Sequence, residues 1–214
     1  MTSDELVRID YRLERLLWAD PGEDQLDVWE ARLQVDGLPD DDGDDVGREV
    51  SWCTVARATL FGMDPDRHAA VGEAPFDVAD AHSSDAAYYY EHLFRVDGNM
   101  LPDVAEAFEL ASNRALFLHD VRVPEDHRRR GYGRLLAADA ILTLAPLGTA
   151  VFAHPGPTDP NIGEDADVGR LRRETENTRF LASLGFLPFR DRLWTLDLSA
   201  AEGFETLTRL RRRP

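Results

Sequence analysis

The chain has 214 residues and a net charge of −17, with 24 arginines, no lysine and 41 acidic residues. That length suits one hydrophobic core, and the acidic excess argues against non-specific nucleic-acid binding, which needs a cationic surface. No apolar run approaches the roughly 20 residues that span a bilayer, and residues 1–10 lack the basic and apolar regions of a signal peptide. A cytoplasmic protein with no membrane partner is therefore expected.

Leu6 to Trp18 and Asp27 to Val35 alternate apolar and charged residues, and Ala19-Asp20-Pro21-Gly22 between them is a turn signal. Two antiparallel strands are predicted there. Residues 35–48 read as an acidic Gly/Asp loop. Its cluster of Asp40, Asp41, Asp42, Asp44 and Asp45 lacks the glutamate at position twelve of an EF-hand, so it reads as a solvated loop. Val50 to Met63 resumes strand character. Cys53 lies in that segment as the only cysteine, so no internal disulfide forms, and a small buried packing residue is expected.

From Asp77 to Leu110 the pattern turns helical. Ala86, Tyr89, Tyr90, Leu93 and Phe94 make one apolar stripe, and Val104, Ala107, Phe108 and Ala111 a second. Asp97-Gly98-Asn99 separates them, and Pro102 suits the first turn of the second helix. Leu116, Phe117, Leu118, Val121 and Val123 then form an apolar run of strand length that Pro124 ends. Arg128 to Gly133 follow, after which Leu135, Leu136, Ala138, Ile141 and Leu142 continue at helical spacing. Amides in the first turn and the positive end of the helix dipole favour an anion at such a junction. Gly131 and Gly133 let the backbone approach it closely.

These residues resemble the GCN5-related N-acetyltransferase (GNAT) family. Arg128-Arg129-Arg130-Gly131-Tyr132-Gly133 matches its Arg/Gln-x-x-Gly-x-Gly/Ala signature, and residues 121–127 resemble the end of its fourth strand. Thr149 to His154 is similar to the fifth strand, Leu171 to Leu184 to the next helix with Leu184-Gly185-Phe186 as its exit, and Arg192 to Leu198 to the closing strand. The resemblance covers residues 115–198. It implies one α/β domain over residues 1–214, with a mostly antiparallel mixed sheet, splayed between the fourth and fifth strands and flanked by helices. Residues 1–114 would form a variable acceptor-side half, 115–198 the acetyl-CoA half and 199–214 a tail. Members of the family usually place a helix pair between the first two strands, whereas here the strands come first.

The resemblance further implies an acyltransferase that moves an acetyl group from acetyl-CoA to a primary amine. Backbone groups of Val121, Arg122 and Val123 would hold the pantetheine arm and polarise the thioester. The turn of Arg128, Arg129, Arg130, Gly131, Tyr132, Gly133 and Arg134 would bind the pyrophosphate. An ordinary turn with solvated arginines is the competing reading, although three adjacent arginines at a positive helix end repel one another without an anion. A protonated amine needs a base, and His119 and Asp120 stand just before Val121. Neighbouring strand residues face opposite sides, so at most one of them enters the cleft. His119 is preferred for its ordinary pKa of about 6.5, against an equal reading as a core histidine.

The tyrosine that in the family often protonates the leaving thiolate would fall near Leu181. Tyr132, one of Tyr88, Tyr89 and Tyr90, or solvent would have to replace it. Three consecutive helical tyrosines span roughly 200 degrees, so at least one hydroxyl reaches a surface or cleft. Tyr88 and Tyr89, with His154, are expected to line the acceptor side, where Asp85, Glu91, Glu106 and Glu109 would suit a cationic small-molecule or peptidic amine. Core or dimer contacts for the tyrosines, and a loop role for His154 beside Pro155 and Pro157, are the competing readings. No metal constellation emerges from scattered histidines and one cysteine. A non-catalytic acyl-CoA-binding module, regulatory or partner-binding, is the second reading, favoured by Leu181. A homodimer in which Arg211 to Arg213 reach CoA phosphates on the other copy also stays open.

Overall fold

The computed structural model describes residues 6–14, 26–36, 51–70, 72, 74–108, 113–145, 149–156 and 167–212. The turn read at 19–22, the acidic loop read at 35–48 from residue 37 on, Glu109, Ala111, Pro157 and Arg213 lie outside the described residues, whereas Val35 and Asp36 are strand residues. Strands β1 (Val7–Glu14), β2 (Asp27–Asp36) and β3 (Trp52–Met63) form an antiparallel meander. Period-two alternation explains β2: Ala31, Leu33 and Val35 are buried, while Glu30 and Arg32 pair at 2.8 Å on the other face. A bulge opposite Leu33 and Gln34 leaves Val55 without a partner, and Val55 and Ala56 are both buried. Cys53, contrary to expectation, is exposed, because it lies at the very start of β3 where the strand enters the sheet.

Four short helices follow: α1 (Pro65–Ala70), α2 (Pro75–His82), α3 (Ser84–Leu93) and α4 (Pro102–Phe108). Proline opens α1, α2 and α4, where a missing N–H is no loss. Ser83 caps α3 by accepting from the Ala86 amide at 3.1 Å. Their apolar side chains, Tyr89, Tyr90, Leu93, Val104 and Phe108 among them, pack on Phe61, Phe117 and Phe152 from one face of the sheet.

The rest of the chain runs β4 (Ala115–Arg122), α5 (Tyr132–Leu144), β5 (Ala150–Ala153), α6 (Asp167–Leu184), β6 (Leu187–Pro188), β7 (Trp194–Asp197) and α7 (Ala201–Arg212). The seven described strands lie in the order β1-β2-β3-β4-β5-β7-β6. Among them only β4 and β5 pair in parallel, and α5 is the crossover that parallel pairing requires. A second core joins Leu33, Leu60, Leu116 and Leu118 to α5, α6 and α7 on the opposite face. The result is a mixed α/β fold, a mixed sheet flanked by helices on both sides.

The tail expected at 199–214 holds a packed helix, α7, over Ala201–Arg212. Leu207 of α7 is buried, and Arg211 Nε lies 2.5 Å from Asp139 Oδ1 of α5. The Tyr11 hydroxyl of β1 donates to the same carboxylate. Asp139 is itself nearly buried, and two partners satisfy what would otherwise be a costly isolated charge. No described helix is long and apolar enough to cross a membrane.

Candidate functional site

The site begins with a defect in β4. Asp120 pairs with Thr59 and Leu118 with Leu60, so His119 is extruded as a bulge. The slip shifts the alternation by one. Leu116 and Leu118 face the α5 side, and beyond the bulge so do Val121 and Val123. Asp120 shares the opposite face with Thr59, and His119 stacks on Phe61 there with ring centroids 4.6 Å apart. The expectation that His119 and Asp120 point to opposite sides therefore fails, because strict alternation holds only for a regular ladder. Both side chains lie on the α1–α4 face.

The bulge coincides with a parting of strands. Pairing between β4 and β5 ends at Leu118 and Ala153, and β4 continues four residues further, to Arg122. Asn177 of α6 donates to the Pro155 carbonyl at 2.8 Å, just past the end of β5. That edge of β4 faces an opening in place of a neighbouring strand.

Along this end of β4, beyond its pairing with β5, a cleft of about 1160 Å³ runs past Val121, Arg122 and Val123 to the start of α5. Arg128 Nε donates to the Val123 carbonyl at 3.2 Å and fastens the turn to the strand. Arg129 and Gly131 both take left-handed backbone, at φ 64° and 88°. Gly131 is the residue before α5, and no side chain caps the helix. Left-handed residues in such a turn, with the first-turn amides beyond, make a concavity that suits an anion. Arg57, Arg122, Arg128, Arg129, Arg134, Arg173 and Arg179 line the cleft with Glu176 as the one carboxylate among its described lining residues. In a chain of net charge −17, this is a local inversion of sign.

The two glycines serve different ends. A Cβ at Gly131 would meet little, so glycine is needed there for its positive φ. A Cβ at Gly133 would lie 3.1 Å from Val123 Cγ2, so that glycine lets α5 pack closely on the tip of β4.

Across the sheet, a polar group gathers around His119. Its Nδ1 lies 3.6 Å from Asp85 Oδ2 of α3, and both side chains are partly exposed. His82 of α2 meets the edge of Phe61 at 5.0 Å, and burial pushes its pKa down, as does the neighbouring His119. Asp120 Oδ2 is 2.5 Å from Arg122 Nε. Burial likewise holds the His154 pKa down, and its Nδ1 contacts the Gly156 carbonyl. Among the described residues, no group of three or more His, Cys, Asp or Glu is placed to hold a metal ion.

No protein-family model, curated protein or solved structure matches this chain. The site must be read from its own geometry.

The cleft brings together Val121, Arg122, Val123, Arg128, Arg129, Gly131, Tyr132, Gly133 and Arg134, while Arg130 is exposed beside it. Tyr88 lies 5.4 Å from the His154 ring and donates to the Asp191 carbonyl. Tyr89, expected on the acceptor wall, is a core residue: it is 1% exposed, its ring stacks on Phe117, and its hydroxyl meets the backbone of His154. Tyr90 is buried too, and its hydroxyl donates to the Arg95 carbonyl at 2.9 Å. Leu181 is buried in the core and does not face the cleft. The α6 residues that do face it are Arg173, Glu176, Asn177, Arg179, Phe180 and Ser183. All but Arg179 fall at i, i+3, i+4, i+7 and i+10, one helix face, a signal present in the sequence but masked by its polarity. Asp85 carried no motif that marked it as a partner for His119.

Proposed function

We propose that this chain is an acyl-CoA-dependent N-acyltransferase of GNAT-like fold, moving an acetyl group from acetyl-CoA to a primary amine by direct transfer. The observation that carries this reading is a cleft that runs along the end of β4, past its last pairing with β5, to an arginine-lined, left-handed turn. A thioester with a diphosphate at its far end fits such a cleft. The diphosphate meets the first-turn amides of α5 and the guanidinium groups. The pantetheine arm runs beside the free edge of β4 as an extra strand would, which brings the thioester to the bulge.

On the far side of the opening the amine nitrogen attacks the thioester carbon. A C–N bond forms, the C–S bond breaks, CoA leaves as its thiolate, and the amine proton passes to His119. The acceptor is a small-molecule or peptidic amine, and the setting is cytoplasmic. Leu181 is buried and outside the cleft, so that position supplies no acid for the leaving thiolate, and a non-catalytic acyl-CoA-binding module is the second reading.

Calorimetric titration with CoA, followed by thiol detection over a panel of amines with acetyl-CoA, tests the reading. Binding with thiol release that depends on an amine is expected. Absence of CoA binding overturns the proposal, and binding without turnover of any amine would return the non-catalytic module.

A further inference from the structure

His119 and Asp120 share one face, so strand alternation does not choose between them. Their partners do. The Asp120 carboxylate is held at 2.5 Å by Arg122, two residues along the same strand. His119 instead faces Asp85, with Nδ1 to Oδ2 at 3.6 Å, and its ring is braced flat against Phe61. Among the described residues, His82 from α2 and Asp85 from α3 lie near the imidazole, and Asp120 is its neighbour on β4. Asp85 is the carboxylate that reaches Nδ1. A gap of 3.6 Å is longer than a hydrogen bond, and such pairs often tighten only when substrate is bound. The side chains of His119 and Asp85 remain 29% and 28% exposed, so an incoming amine has access.

We propose that Asp85 is the positioning residue for His119, a carboxylate on α3 that accepts from Nδ1–H and so leaves the Nε2 lone pair to take the amine proton. This inference rests on the acyltransferase reading and deepens it. The partner of one ring nitrogen decides which nitrogen carries the proton. As the amine proton arrives at Nε2, Asp85 stays ionised and stabilises the imidazolium, the role a buried aspartate plays behind a histidine base elsewhere. Helices α1–α4 then have a chemical role, since they supply the group that orients the base on the neighbouring strand.

The test compares the wild type with Asp85→Asn and Asp85→Glu. Calorimetry reads CoA affinity, steady-state kinetics reads kcat and KM, and ¹⁵N spectra of the histidine rings read the tautomer of His119. In Asp85→Asn, CoA affinity should be unchanged, as Asp85 does not line the cleft. Its kcat should fall by about 10²-fold, the low end of general-base contributions. The His119 tautomer should move away from Nδ1–H, with Asp85→Glu recovering part of both effects. A wild-type tautomer in Asp85→Asn overturns the proposal whatever the rate, because a structural role alone would then explain any loss. A changed tautomer with unchanged kcat overturns it too. Failure of the wild type to bind CoA would sink the acyltransferase reading, whereas the spectra report on the pairing separately.

Discussion

Leu118 and Val121 face the same side of the sheet with two residues between them, because His119 stands out of the ladder as a bulge. The flanking pairs, Leu60 with Leu118 and Thr59 with Asp120, need only one step between them on each strand. Deleting His119 would place Leu118 directly before Asp120 and restore regular alternation without moving either flank to the wrong face. The deletion variant is expected to fold with native circular dichroism and, on the proposed role of His119 as base, to lose at least about 10²-fold in turnover. Loss of cooperative unfolding would show instead that the bulge is needed for stability.

The two glycines at the start of α5 should respond to alanine differently. Gly131→Ala forces a left-handed conformation on a residue with a Cβ, which costs roughly 1–2 kcal/mol of stability. Gly133→Ala pushes against Val123, so it displaces the tip of β4 and should weaken the proposed CoA binding with little change in melting temperature. Val123→Ala in the same chain removes the Cγ2 contact and should recover affinity. Calorimetry and thermal melts of the three variants decide the matter. Equal effects of Gly131→Ala and Gly133→Ala on both measurements would contradict the division of roles.

Stability should fall on both sides of neutrality. Burial raises Tyr90 from its ordinary 10.0 to about 12, and raises Tyr11 and Tyr89 as well. Between pH 10 and 12 the unfolded chain has lost tyrosine protons that the folded chain keeps, so unfolding becomes easier as pH rises. On the acid side, His82 and His154 are held below their ordinary 6.5 by burial. The unfolded chain therefore binds more protons as pH falls below about 6.5, and stability declines again. Urea unfolding across pH, with tyrosinate absorbance followed in parallel, measures both limbs. The double variant His82→Gln, His154→Gln should flatten the slope between pH 6.5 and 5. Ionisation of all five tyrosines near pH 10 in the folded protein would refute the alkaline half.

The strand, turn and helix at residues 116–136 were legible in the amino-acid order, because an apolar run, a proline stop and Gly131 are local signals that act within a few residues. The placing of three strands before the helices was legible for the same reason. Only the tertiary structure decided which way His119 faces, since a bulge arises from pairing between β3 and β4, strands brought together from distant parts of the chain. It also decided that Asp85 meets His119, that Leu181 turns into the core while Asn177 turns to the cleft, and that Arg211 is bound to Asp139. Periodicity tells which residues share a face, but the partner each face meets is set by packing between elements, and the chemistry of this site depends on those partners.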